Sequence, residues 1–263
     1  MYLADSHLHT MNSFDAKGTL LDKANFAKGV GVERLCVTDH FECQNPEKWT
    51  AVSKMKRDYE AQKAMNDTGV ELYFGIELGS VNLRPDVAKE VIKEGDFDMV
   101  IGSLHVLEDC VSIGKIDYAS KDIHSYIDRY LKCLEDIVNY GDFDTLAHIN
   151  MTVRYAAMQG VALSMEPYYD RLYKLFKIMV QREKALEINM SSVYSPLEAP
   201  LPTADVLKLY KEAGGELLTV GSDAHLVEHV GRGVEDAYNY AKEAGFDKIT
   251  VFARRKPEFI YLR

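Results

Sequence analysis

Short apolar runs recur along the chain, separated by longer stretches of helical periodicity. Candidate strands are Tyr2–Ala4, Arg34–Thr38, Glu71–Ile76, Met99–Ile101, Thr145–Ala147, Ala185–Ile188, Leu217–Val220 and Lys248–Val251. Between them, Asp122–Tyr140 places Ile123, Ile127, Tyr130, Leu131, Leu134, Ile137 and Val138 on one helical stripe. Tyr168–Met179 repeats the pattern with Leu172, Leu175, Phe176 and Met179, and Ala204–Ala213 follows Pro202-Thr203 and ends at Gly214-Gly215. Strands that are apolar throughout, alternating with helices, predict a largely parallel sheet covered on both faces. No linker or repeat divides the chain. Seven or eight such units therefore predict an α/β fold of one domain over 1–263, closed as a barrel rather than open and doubly wound. Neither a Gly-x-Gly-x-x-Gly turn, a phosphate-binding Gly-x4-Gly-Lys-Ser/Thr loop nor a Gly-x-Ser-x-Gly elbow occurs, so dinucleotide, P-loop and serine-hydrolase readings lack support.

Composition narrows the class. The 263 residues are 47% hydrophobic and 27% charged, ordinary for a globular chain. A net charge of −10 argues against nucleic acid as a partner, whose binding needs a basic face. No segment approaches the roughly 20 apolar residues of a membrane helix, and MYLADSHLHT has neither a basic nor an apolar leader region. Cys36, Cys43, Cys110 and Cys133 form no C-x-x-C pair, so reduced thiols and a cytoplasmic location are expected.

The chemistry lies at the carboxyl ends of the candidate strands. The first runs into Asp5-Ser6-His7-Leu8-His9, where alternation puts the two imidazoles on one face. Later strands end at Asp39-His40, at Glu77, before His105, before His148 and at Asp223-Ala224-His225. Six of the eight histidines thus sit where an α/β barrel gathers its catalytic groups, a repetition that independent structural roles do not predict. Of the other two, His124 opens a helix and His229 follows His225 closely enough to line the same site.

As an ordered series, Asp5-Ser6-His7-Leu8-His9, Thr38-Asp39-His40, Gly75-Ile76-Glu77, Gly102-Ser103-Leu104-His105, His148 and Gly221-Ser222-Asp223-Ala224-His225 resemble the PHP (polymerase and histidinol phosphatase) family. Arg254-Arg255-Lys256-Pro257 is similar to the tail of the histidinol-phosphatase branch. The resemblance implies a distorted barrel of seven β/α units with three divalent ions, Zn, Mn or Fe, at the strand rim. One would be held by His7, His9, Glu77 and Asp223; a second would share Glu77 and add His105 and His148; a third would take Asp15, His40 and His225. Asp15 is assigned only through the family. Imidazole with carboxylate and no thiolate suits these metals. The ions' positive charge would let an acidic protein hold a phosphate dianion.

The implied activity is a phosphomonoesterase, in the first place a histidinol-phosphatase of histidine biosynthesis. A metal-bridging hydroxide would attack phosphorus, with Glu77 and Asp223 in the catalytic centre. Asp39 is either a proton donor or a partner orienting a ligand histidine. Arg154, after His148, resembles a phosphate-binding arginine. Asn189, in Glu187-Ile188-Asn189-Met190-Ser191-Ser192, belongs to a motif lining the pocket, and His229 joins these two as a candidate substrate contact. The chain departs from the pattern after that motif: Val193-Tyr194-Ser195-Pro196 stands where related phosphatases often carry an arginine. Arg232 and Lys17 are the candidate replacements. The alternatives are another small phosphate ester or a nucleotide, a nuclease, an amidohydrolase, and a metal-binding module without catalysis. Oligomeric state is not legible.

Overall fold

The computed structural model describes residues 1–262. Its strands are β1 (Ala4–Leu8), β2 (Arg34–Val37), β3 (His40–Glu42), β4 (Glu71–Gly79), β5 (Met99–Ser103), β6 (Thr145–Leu146), β7 (Ala185–Asn189), β8 (Leu218–Gly221), β9 (Lys248–Ala253) and β10 (Lys256–Tyr261). The helices are α1 (Leu20–Gly29), α2 (Val52–Ala64), α3 (Pro85–Gly95), α4 (Ile123–Tyr140), α5 (Met151–Met158), α6 (Tyr169–Gln181), α7 (Ala204–Glu212) and α8 (Val234–Glu243).

Strands pair in parallel in the order β1-β2-β4-β5-β6-β7-β8, with β3 added to β4 beyond the end of β2. This is a seven-stranded, nearly closed barrel, as the alternation predicts. β1, β5 and β7 are buried along their whole length, and β5 accordingly reads as an apolar run rather than an alternating one. The stripe of α4 buries Ile127, Tyr130, Leu131, Leu134, Ile137 and Val138 against the sheet. α1 begins at a reciprocal cap: Asp22 N–H donates to Thr19 Oγ1, and Thr19 N–H donates to the Asp22 carboxylate.

The barrel closes only at its carboxyl rim. Past the end of β8, Asp223 N–H donates to His7 O (2.8 Å) and His9 N–H donates to Ala224 O (3.0 Å). Gly221 permits this: a Cβ there would lie 2.3 Å from His7 Cβ.

One expected strand falls outside the barrel. Lys248–Val251 lies in β9, which pairs antiparallel with β10, a strand the periodicity did not separate. Arg254 and Arg255 both have positive φ, as a tight hairpin turn requires. Arg34 donates to Phe252 O, Arg254 N–H and Arg255 N–H to Asp98, and the Arg255 guanidinium to Asp142 and Asp144. These partners precede or open barrel strands, so the hairpin covers the amino end, where Phe252 packs with Cys36, Met99, Ile101, Ala147 and Ala185. The first strand is also displaced: Tyr2–Ala4 was expected and Ala4–Leu8 is found, because the polar positions Asp5 and His7 are themselves buried.

Candidate metal centre

β1 delivers His7 within the strand and His9 just past it. β3 and β4 pair His40 directly with Glu77, and His105 and His148 each follow a strand end by two residues. His148 and Asp223 hold positive φ (31° and 55°), uncommon for non-glycine residues. Hydrogen bonds fix both: His148 N–H donates to Glu187 Oε2 (2.9 Å), and Asp223 N–H to His7 O.

The donor atoms overlap, His40 being close enough to share an ion with Glu42 and His105 as well as with His9 and His225, and the three expected sets lie as follows. In the first, His9 Nε2 lies 3.2 Å from His7 Nε2, 3.1 Å from Asp223 Oδ1 and 3.7 Å from Glu77 Oε2. In the second, Glu77 Oε1 lies 3.0 Å from His148 Nε2 and 3.2 Å from His105 Nε2. In the third, Asp15 Oδ2 lies 3.7 Å from His40 Nε2 and 3.5 Å from His225 Nε2, the two imidazole nitrogens being 3.4 Å apart. Glu77 thus faces the first group with one oxygen and the second with the other. Its Oε2 is buried without a hydrogen-bond partner and lies 2.6 Å from His40 Nδ1. An orphaned buried carboxylate oxygen among inward-facing imidazole nitrogens fits a cation. The donor chemistry fits divalent transition metals.

The outward nitrogens are tied down. His7 Nδ1 meets Glu187 Oε1 at 2.5 Å, His105 Nδ1 meets Glu42, His9 Nδ1 faces Ser13 Oγ (3.3 Å) and His225 Nδ1 faces Asp223 O (2.9 Å). Such partners fix tautomer and ring orientation for Nε2 ligation. Glu42 and Glu187 were not singled out as partners in the sequence. The signal for Glu42 was present, since it lies two residues beyond His40 on the same strand face. Gly79 makes room for it, because a Cβ there would lie 2.1 Å from the Glu42 carboxylate.

Charge couples the set. Burial would lift Glu77 and Asp223, yet the neighbouring imidazoles hold both well below the usual carboxylate range. Burial would depress His7, but Glu187, Asp223 and Glu77 raise it well above an ordinary imidazole. His225, opposed by burial in the same way, is pushed up to about 9 by Asp15 and Asp223. His9 is held low by burial and by the charge of His40. The carboxylates remain ionised and call for positive charge, whether protons or metal ions.

Above the centre opens a cavity of about 670 Å³, a size suited to a small ligand. Of the expected substrate contacts, Arg154 and His229 line it. Arg154 Nη1 donates to Ser191 Oγ (3.2 Å) and its Nε is buried with no partner. Asn189 is fully buried beneath the wall, donating to Glu187 and Asp223 and accepting from Ser191, so it braces the centre rather than facing the cavity. Asp39 does not line the cavity: its carboxylate accepts from Thr10 N–H, Thr10 Oγ1 and Ser13 Oγ, Ser13 Oγ in turn faces His9 Nδ1 and accepts from His40 N–H, and the Asp39 carbonyl accepts from Glu77 N–H. Lys17 is exposed and does not line the cavity; its backbone N–H donates to His225 O.

The PHP domain family matches residues 5–191, most of the chain. This chain belongs to the PHP family. A probable histidinol-phosphatase of Thermotoga maritima is 28% identical over 96% of this chain and 97% of its own length. The histidinol-phosphatase of Lactococcus lactis is 23% identical, over 96% and 95%. A probable phosphatase of Photobacterium profundum is 26% identical, over 98% and 92%. The crystal structure of histidinol phosphate phosphatase from Lactococcus lactis, complexed with zinc, L-histidinol and phosphate, superposes with a TM-score of 0.82 at 22% identity, covering 97% of this chain and 98% of that one. The barrel is therefore the PHP fold over its whole length. Among the described residues no helix is long and apolar enough to cross a membrane.

Proposed function

We propose that this PHP protein is a metal-dependent phosphomonoesterase holding three divalent ions, with L-histidinol phosphate as its first candidate substrate. The observation that carries the reading is the set of adjoining donor groups, two of them joined through Glu77, at the floor of a cavity that also presents Arg154. Relatives named histidinol-phosphatase and the zinc, histidinol and phosphate bound by the Lactococcus enzyme support it. His7, His9, Glu77 and Asp223 would hold one ion, Glu77, His105 and His148 a second, and Asp15, His40 and His225 a third. When bound, the ions supply a water ionised near neutral pH and positive charge for the phosphoryl oxygens. The protein's own part is to orient and to bind. Glu187, Glu42 and Ser13 hold the ligand imidazoles, and Arg154 offers its guanidinium edge to the phosphoryl group.

One observation favours a different leaving group. The cavity's carboxylates, Asp15, Glu42, Glu77 and Asp223, all face histidines, so among the described residues none is free for a cationic amino group. Phosphate release from a panel of small phosphomonoesters, with Mn and with Zn, decides between these readings. Histidinol phosphate should lead the panel. Strong release from other esters and none from histidinol phosphate assigns a different substrate. No release from any ester by metal-replete protein leaves a metal-binding module.

A further inference from the structure

Arg232 is exposed at the cavity mouth, seven residues after His225. Its guanidinium carbon lies 3.2 Å from the ring centroid of Tyr194, and among the described residues it has no carboxylate within ion-pairing distance. An arginine seated over a ring uses its face for that contact and leaves N–H donors at its edge for phosphate oxygens. The turn that carries it is fixed to the metal centre. Arg232 N–H donates to His229 O (3.1 Å), and Gly231 N–H to Asp5 Oδ2 (2.9 Å). The same buried Asp5 accepts from Ser222 N–H (2.9 Å) and Ser222 Oγ (2.5 Å), one residue before Asp223. One acid thus sets the arginine's turn and a metal-facing carboxylate in a single frame. Tyr194 itself lies in the segment after β7, where an arginine was expected and is missing.

We propose that Arg232, seated on Tyr194, is the second phosphoryl-binding arginine of this cavity, supplied from the turn after β8 instead of the segment after β7. The inference rests on the phosphomonoesterase reading for its ligand, the phosphoryl dianion, but not on which alcohol is released. Tyr194 is the platform.

The test uses metal-replete full-length protein, with inorganic phosphate binding followed by calorimetry and hydrolysis of p-nitrophenyl phosphate, whose leaving group carries no amine. Arg232→Ala should weaken phosphate binding and raise KM about 10- to 100-fold, as for loss of a charge-assisted contact. Arg232→Lys should recover only part, for want of the planar fork. Adding Tyr194→Arg to Arg232→Ala should restore phosphate affinity by returning a guanidinium to the wall, a result that mere surface packing by Arg232 does not predict. Unchanged phosphate affinity and KM in Arg232→Ala overturn the proposal while leaving the phosphatase reading intact. A KM increase confined to larger esters, with phosphate affinity unaltered, also overturns it and moves Arg232 to the leaving group. Failure of the wild-type protein to bind phosphate overturns it as well. Arg232-dependent phosphate binding without hydrolysis of any ester supports the proposal and sinks the phosphomonoesterase reading instead.

Discussion

Glu77 and His9 carry the centre at the scale of single residues, because each faces more than one donor group. His9→Ala removes a buried imidazole that neighbours His7, Asp223 and His40. Turnover should fall at least about a thousand-fold while far-ultraviolet circular dichroism stays unchanged, since the barrel core is apolar and elsewhere. Retained activity would remove His9 from the mechanism. Glu187→Gln keeps the shape but loses the charge on His7 Nδ1; metal affinity should drop about 10- to 100-fold, read by competition with a chelating dye. Lys23 gives a prediction in pH. It is fully buried, its Nζ donates to Ala224 O (3.2 Å), and burial lowers it to about 8. Between about 8 and the unfolded value near 10.4, the unfolded chain binds the extra proton, so Lys23 makes folding more favourable as pH rises. The stability of wild type minus that of Lys23→Met should grow over this window by at most about 3 kcal/mol, followed by urea unfolding of metal-free protein. A flat difference would show that Lys23 stays charged. Most ligand positions were legible because histidine is rare and its placement after strands repeated. The role of Glu187 is not legible in its motif, for it depends on the side chain reaching His7 past Gly221 of β8 and not on spacing.

Elements were read well where burial made them uniform and poorly where chemistry interrupted them. β7 and α4 appear within a residue or so of their expected bounds, since their periodicity is produced by contact with one core. β1 was read short because polar residues that serve the centre do not resemble core. β9 was read as a barrel strand since an apolar run does not state its partner; only the paired positive φ at Arg254 and Arg255 makes it a hairpin. The hairpin's attachment can be tested at Arg255. Its guanidinium donates to Asp142 and to Asp144, and Asp144 is buried, with its other bonds going to Val100 N–H. Burial raises the Asp144 carboxyl despite this partner, so removing the arginine leaves an expensive unpaired acid. Arg255→Ala should cost about 2–4 kcal/mol in chemical denaturation, and Arg255→Ala/Asp144→Asn should regain part of it. A loss under about 1 kcal/mol would show that the hairpin is held by Phe252 and its apolar neighbours alone.

For the molecule as a whole, the metal centre and the barrel seam are the same place. β1 meets β8 through His7, His9, Asp223 and Ala224, and three of these, His7, His9 and Asp223, belong to the first donor group. Ions held there would join the first strand to the last; without them the seam rests on backbone hydrogen bonds and on the bonds from Ser222 to Asp5. Binding at one site stabilises by about 4 kcal/mol when free metal is a thousand times the dissociation constant. For a chain of this size each kcal/mol moves Tm by roughly 2–4 °C. Chelation should therefore lower Tm by on the order of 10 °C, with recovery on adding Zn or Mn, and with secondary structure at 25 °C unaltered because the core needs no metal. Loading should also release protons at neutral pH, since His225 titrates near 9 in the metal-free centre and must be neutral to ligate. Affinity then rises with pH up to about 9 and falls as acid returns the proton, the direction set by a raised imidazole. A dye that follows pH in weak buffer measures this release directly. Chelation without effect on Tm, together with metal addition that liberates no protons, would mean that the seam is closed by its own hydrogen bonds and imidazolium–carboxylate pairs without help from metal.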